Sequence, residues 1–284
     1  MSIQWFPGHM AKARREVTDS LRLVDTVIEI VDARLPESSR NPMMLEITKH
    51  KPTVLVLAKA DLADPKVTAN YLKHFKNEHV LPVAVDNLRG EGLNLLTKAA
   101  HEVTREQFAK MQKKGIRRKA IRAIVVGIPN VGKSSLINRV TGRSVAKTGD
   151  KPGVTKQQQW IKVEGSFELL DTPGILWPKF DDPDVARRLA WSGAIKSELL
   201  PTEELALAFV DWLKVTYPQS LTARFDCSTD GADAVAILED IARRRGALRP
   251  GGIPDREMAA DILLRDFQKG LMGRITLDRP PTAD

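Results

Sequence analysis

A chain of 284 residues with 42% apolar and 28% charged residues is long enough to bury one large core and a smaller one. Its 44 Lys and Arg against 36 Asp and Glu leave a net charge of +8, which favours a polyanionic partner where that charge gathers in one place. The single cysteine, Cys227, excludes an internal disulfide; with no His/Cys set at metal-ligand spacing, no apolar run near the roughly 20 residues of a membrane span and no signal-peptide order in MSIQWFPGHM, a cytoplasmic protein is expected.

The segment 1–20 reads as a flexible lead. After it, TVIEIVDA (26–33), PTVLVLAKA (52–60) and VLPVAVD (80–86) are β-branched apolar runs of strand length, separated by stretches long enough for helices. Such βα alternation predicts a mostly parallel sheet flanked by helices. EGLNLLTKAAHEVTREQFAKM (91–111) is the next predicted helix and runs into KKGIRRKAIR. The strand RAIVVG then leads into IPNVGKSSLINRVTG, a glycine-bearing turn and a helix ending near Gly142. WIKVEGS and FELLDTPG, broken at Gly165, read as a hairpin feeding one central strand. From about residue 182 the segments DVARRLAWSGAI, EELALAFVDWLKV, AVAILEDIARRRGAL and DREMAADILLRDFQKGLM carry helical spacing and few strand signals. The fold class is therefore an α/β domain over 1–180 followed by a small all-α domain over 181–284.

GIPNVGKS, Gly127 to Ser134, is a complete G-x-x-x-x-G-K-[ST] between a predicted strand and a predicted helix. In that setting the backbone N–H groups of Asn130, Val131, Gly132, Lys133, Ser134 and Ser135 cradle phosphate, Lys133 sits between the β- and γ-phosphates, and the Ser134 hydroxyl ligates Mg²⁺. Thirty-seven residues after Ser134, LLDTPG ends an apolar run with Asp171 and Gly174 in a D-x-x-G. There Asp171 holds the metal through water and the Gly174 N–H touches the γ-phosphate; by itself the pattern is also an ordinary strand-end turn. Between the two, KTGDKPGVTKQ (147–157) contains Thr155, which either closes on Mg²⁺ in the triphosphate state or is an incidental surface threonine. Upstream, LAKADL, Leu57 to Leu62, is either a reader of guanine, through Lys59 and Asp61, or a buried strand running into a polar turn.

Together these pieces resemble the Era/TrmE-like GTPases, with the guanine-side motifs ahead of the phosphate-side ones. That is the order of a circular permutation, which a sheet tolerates because domain termini lie close together. Through WFPGHMAKA (5–13), VDARLPESSRNP (31–42), IPNVGKSSLIN (128–138) and DTPGILWPK (171–179), nearly the whole chain is similar to the YlqF/RbgA family of ribosome-assembly GTPases. The resemblance implies a circularly permuted P-loop GTPase domain with an α-helical RNA-binding domain behind it. It implies guanine recognition by Asp61, Lys59 along the base plane, and Ala84, Val85 and Asp86 at the start of the turn DNLRGEG. It implies Mg²⁺ on Ser134, Thr155 and Asp171, and K⁺ at Asn130 in place of an arginine finger. The implied partners are GTP, GDP and the precursor of the large ribosomal subunit with its rRNA, for a monomer that touches no membrane.

Two positions depart from expectation. Ala58 stands where the family's guanine motif has asparagine; the missing neutral amide bond is worth about 0.5–1.5 kcal/mol, less than a charge-assisted bond to Asp61 at about 1.5–3 kcal/mol. Guanine preference should survive while nucleotide is held more loosely, and Ala58→Asn should tighten it. Ile175 follows the D-x-x-G where Ras-like enzymes carry the glutamine that orients water, and isoleucine can neither donate nor accept. His9 is the implied substitute, brought over the γ-phosphate by a flexible N-terminal segment, with a structural or RNA-contacting role as the other reading.

The positive charge gathers in TREQFAKMQKKGIRRKAIR (104–122), eight Lys or Arg against one Glu, and in ARRRGALR (242–249). Both runs are either solvated faces or phosphate contacts to RNA. Two rivals stand outside this class. An ATP-using P-loop enzyme has no use for Asp61, and an RNA-binding module that hardly hydrolyses its nucleotide fits Ile175 and Ala58.

Overall fold

The computed structural model describes residues 7–116, 120–142, 159–163, 167–172, 182–195 and 201–280, with side chains from Arg14 onward. It divides into a unit of Met1–Asp181 with Thr276–Asp284 and a unit of Asp182–Ile275.

The first unit is built on β1 (Thr26–Asp32), β2 (Thr53–Ala58), β3 (Val80–Val85), β4 (Ile121–Val126), β5 (Gln159–Val163) and β6 (Phe167–Asp171), in the order β3-β2-β1-β4-β6-β5. All neighbours run parallel except β5, which pairs antiparallel with β6 as the predicted hairpin requires. Every residue of β1 and β2 is buried, as expected of parallel strands covered on both faces. One face carries Val27, Ile124, Val126 and Leu170 against Val17 of α1 (Pro7–Ser20), Leu21 in the turn after it and Met44 of α2 (Pro42–Thr48). The same face carries Val31, Leu55 and Leu57 against Val67 and Tyr71 of α3 (Pro65–His74). Between β3 and β4 the chain crosses back over the sheet through α4 (Leu93–Lys113). With right-handed crossovers, that reversal of direction sends α4 to the opposite face.

The strand order reverses between β1 and β4, so the crevice beyond the carboxyl ends of these strands is the place where such a sheet binds ligand. Four of the motifs singled out in the sequence leave the sheet there: LAKADL after β2, DNLRG after β3, the phosphate loop after β4 and DTPG after β6.

Segment 7–20 is a 14-residue helix rather than a flexible lead. Pro7 suits a first helical turn, where no N–H is needed, and Val17 and Leu21 lie one turn apart on the buried side. The chain's end also departs from expectation. Thr276, Leu277 and Asp278 are buried in the first unit: Asp64 N–H donates to Thr276 Oγ1 (3.0 Å), Leu277 N–H to the Arg34 carbonyl (2.6 Å), and Glu37 N–H and Ser38 N–H each to Asp278 Oδ2 (2.8 Å). A segment held by such bonds has no periodicity to announce it.

The second unit packs α6 (Pro183–Trp191), α7 (Thr202–Thr216), α8 (Pro218–Phe225), α9 (Ala234–Arg245) and α10 (Arg256–Gln268) around Phe209. The Phe209 ring centroid lies 5.0 Å from Trp191 and 4.9 Å from Phe267. Trp191 Nε1 donates to the Leu205 carbonyl (2.8 Å), so this tryptophan is core. A two-stranded pair, β7 (Leu248–Arg249) with β8 (Ile253–Pro254), follows α9; it was hidden in the sequence because each strand is only two residues long.

Candidate functional site

The phosphate loop begins where β4 meets the centre of the sheet. Gly127 lies so close to β1 that a Cβ would fall 2.5 Å from the Ile30 carbonyl oxygen, and only glycine permits that approach. The turn continues through Asn130 at φ +61 and Gly132 at φ +105 and delivers Lys133 as the first residue of α5 (Lys133–Thr141). Val131 is buried, Ser134 is half-buried and Ser135 is exposed.

Lys133 is buried. Its Nζ donates to the carbonyls of Gly127 (3.0 Å) and Ile128 (2.8 Å). Burial pushes the ammonium down to about 8, partly opposed by the Asp171 carboxylate. Asp171 closes β6 with both carboxylate oxygens buried and without a hydrogen-bond partner among the described residues. Burial raises its carboxyl, against the pull of Lys133 and of the neighbouring Thr172 backbone N–H. A buried ammonium and a buried carboxylate with unused oxygens thus belong to one site at the ends of β4 and β6. Phosphate suits the first, and water on a divalent cation suits the second. These residues therefore fit a Mg-phosphate ligand. Among the described residues no group of three His, Cys, Asp or Glu could hold a metal by itself.

The other half of the crevice is held by ion pairs. Asp32 ends β1 and receives Arg34 at both oxygens, Nε to Oδ1 at 3.0 Å and Nη2 to Oδ2 at 2.8 Å. Lys59 Nζ joins them at 2.9 Å from Asp32 Oδ2 and also donates to the Asn130 carbonyl at 2.7 Å. Burial pushes the Asp32 carboxyl up, but Arg34 and Lys59 outweigh it and hold the group well below the usual carboxylate range. Lys59, in the left-handed region at φ +58, therefore fastens the loop after β2 to both the end of β1 and the phosphate loop. Sequence reasoning missed Asp32 and Arg34, although a carboxylate at the end of the central strand was the signal available.

Asp61 lies half-buried in the single 3₁₀ turn Ala60–Leu62. Ala84 and Val85 close β3, beside Ala58 in the parallel register Ala58↔Val85. The buried Asp86 carboxylate serves its own loop, accepting from Leu88 N–H (2.7 Å) and Arg89 N–H (3.1 Å). That Asx turn carries Asn87 over the phosphate loop, where Nδ2 donates to the Gly132 carbonyl (3.3 Å). Thr155, Gly174 and Ile175 lie outside the described residues, as does the side chain of His9, whose backbone stands in the first turn of α1.

In the first basic run Arg105 pairs with Glu102, Lys110 with Glu106 and Arg122 with Glu168, while Lys113 at the end of α4 and Lys114 just beyond it are exposed. In the second run, Arg243 pairs with Glu239, Arg244 with Asp240 and Asp226, Arg245 with Asp266 and Arg249 with Asp255, so acidic neighbours offset much of its charge. No helix among the described residues is long and apolar enough to cross a membrane.

Residues 122–225 match the family model described as 50S ribosome-binding GTPase. The chain is 48% identical to ribosome biogenesis GTPase A of Bacillus cereus, covering 99% of this chain and 95% of that protein. It is 47% identical to ribosome biogenesis GTPase A of Priestia megaterium, covering 100% and 99%. Among solved structures, GNP-bound YlqF from T. maritima aligns with a TM-score of 0.65 at 28% identity, over 95% of this chain and 99% of that one.

Proposed function

This chain belongs to the ribosome biogenesis GTPase A family, and we propose that it works in the cytoplasm as a nucleotide-switched assembly factor of the large ribosomal subunit, hydrolysing GTP to GDP and phosphate. The observation that carries the reading is Lys59, whose ammonium spans from the Asp32 carboxylate to the Asn130 carbonyl and so joins a base-reading loop to a phosphate loop across the permuted sheet.

In this reading Asp61 accepts from guanine, with Ala84, Val85 and Asp86 shaping the far wall of the base site. Lys133 leaves the Gly127 and Ile128 carbonyls for the β- and γ-phosphates, where the ligand's charge restores its ordinary basicity. Ser134, Thr155 and, through water, Asp171 would hold Mg²⁺, which when bound neutralises charge on the phosphate oxygens. The unpartnered Asp171 oxygens support that role. Gly174 reports the γ-phosphate, and His9, entering on the first turn of α1, orients the attacking water. Asn130 contributes to a K⁺ site. The exposed lysines of α4 meet rRNA phosphates, Asp182–Ile275 supplies a second RNA-facing surface, and the protein acts as a monomer whose turnover rises on the ribosomal particle.

Co-sedimentation with large subunits tests the switch: retention with a non-hydrolysable GTP analogue and release with GDP are expected, and equal retention in both would remove it. GTP turnover measured with and without subunits, in K⁺ and in Na⁺, tests the stimulation and the cation separately.

A further inference from the structure

We infer that Asn87 supplies from a neighbouring loop the amide that the base-reading strand lacks at Ala58, and that it is a binding residue for guanine nucleotide. The inference rests on the proposed reading that GTP and GDP bind along this edge of the sheet.

Ala58 is the last residue of β2 and is fully buried, flanked by Asp32 on β1 and Val85 on β3. Its methyl group faces the phosphate loop without a polar contact: a Cβ built on Gly132 would lie 3.7 Å from Ala58 Cβ, in ordinary van der Waals contact. The same built position lies 3.0 Å from Asn87 Nδ2. The small side chain on one strand and the amide from the next loop thus converge on one face of Gly132. Gly132, at φ +105, keeps that face open because it has no side chain. An asparagine at 58 would reach into the space that the Asn87 amide fills. Two residues beyond the Ala58↔Val85 pair, the Asx turn of Asp86 aims Asn87 into it.

The chemistry of the amide points the same way. Only its NH₂ end can donate to the Gly132 carbonyl, so the contact fixes which way round it stands. Its Oδ1 is then buried with no partner among the described residues. One hydrogen of Nδ2 lies on Gly132 and the second remains for an acceptor. N7 of a purine is such an acceptor, and guanine and adenine share it. Asn87 therefore tightens nucleotide binding without choosing the base, a choice left to Asp61. With this amide in place, Ala58→Asn alone adds no bond and crowds Asn87, which reverses the gain expected from the sequence.

The test is the dissociation rate of GDP labelled on its ribose with N-methylanthraniloyl, measured in the full-length protein by chase with unlabelled GDP. Asn87→Ala should release the label roughly three- to tenfold faster. The double variant Asn87→Ala/Ala58→Asn should return to within about twofold of the parent, and Ala58→Asn alone should not slow release. An unchanged rate in Asn87→Ala overturns the inference. So does a fast rate that Ala58→Asn fails to rescue, because a misfolded loop would behave that way. A parent protein that binds no labelled GDP brings down the functional reading itself, and is told apart from the other outcomes because it needs no variant.

Discussion

The two halves of the crevice are built on opposite terms. On the base side, Asp32, Arg34 and Lys59 satisfy one another and the Asp86 carboxylate is absorbed by its own turn. On the phosphate side, Lys133 rests on backbone carbonyls and Asp171 has no hydrogen-bonding partner for its carboxylate among the described residues. The base half is part of the fold's own stabilisation. The phosphate half holds buried charges that folding alone does not reward, which is how a site keeps binding energy for a highly charged ligand.

The most severe way to break the contrast is at Asp32. Asp32→Ala leaves the buried Arg34 without its carboxylate and should destabilise the protein by about 3–5 kcal/mol, read as a fall in the urea midpoint. The acid limb checks the same group. Because the folded carboxyl is depressed below its ordinary 3.8, its contribution is complete above that value and is lost as pH falls through the depressed one.

Lys133→Ala should do the reverse, lowering GTP turnover by roughly two to three orders of magnitude while leaving the urea midpoint equal or higher. Turnover is followed by phosphate release. In the parent protein without nucleotide, the Lys133 ammonium is disfavoured by burial, so this group's contribution to stability rises between about 8 and its ordinary 10.5. GDP affinity should fall over the same range, and a flat affinity profile would separate Lys133 from the phosphates.

A smaller effect is expected at Asp278, which fastens the chain's end onto the 37–38 turn beside the base half. Asp278→Ala should reduce stability by about 1.5–3 kcal/mol, the range for bonds to a buried charged group, with a lower thermal midpoint and no direct effect on phosphate binding. The mildest change is Lys113→Ala with Lys114→Ala on the exposed end of α4. Stability should move by less than about 0.5 kcal/mol, while the salt slope of large-subunit binding should drop by roughly one for each lysine. An unchanged slope would make this run a solvated face.

Much of the fold was legible because its signals are local. The apolar runs of β1 to β4 and β6, the hairpin break near Gly165 and the helical spacing beyond residue 182 each declare themselves within about ten residues. Helix α1 was missed because its polar sequence is helical in company with Val17 and Leu21 on the sheet, and propensity alone does not reveal that packing. The phosphate loop was legible as a motif, yet the bonds of Lys133 to the Gly127 and Ile128 carbonyls were not, because side-chain partners are chosen only after the turn has closed. Ala58 was legible as a departure, but the contact of Asn87 with Gly132 beside it was not, since that amide comes from another loop.

By itself the sequence determined the alternation of strands and helices, the phosphate-binding turn and the permuted order of the motifs, all written in neighbours a few residues apart. Tertiary structure decided how the loops are tied. Asn87 meets Gly132 across 45 residues of chain, Lys59 meets Asn130 across 71, and Asp278 meets Ser38 across 240. No local pattern encodes such pairs, because each exists only once the sheet has brought distant strand ends to one edge, where burial makes every remaining polar group seek a partner.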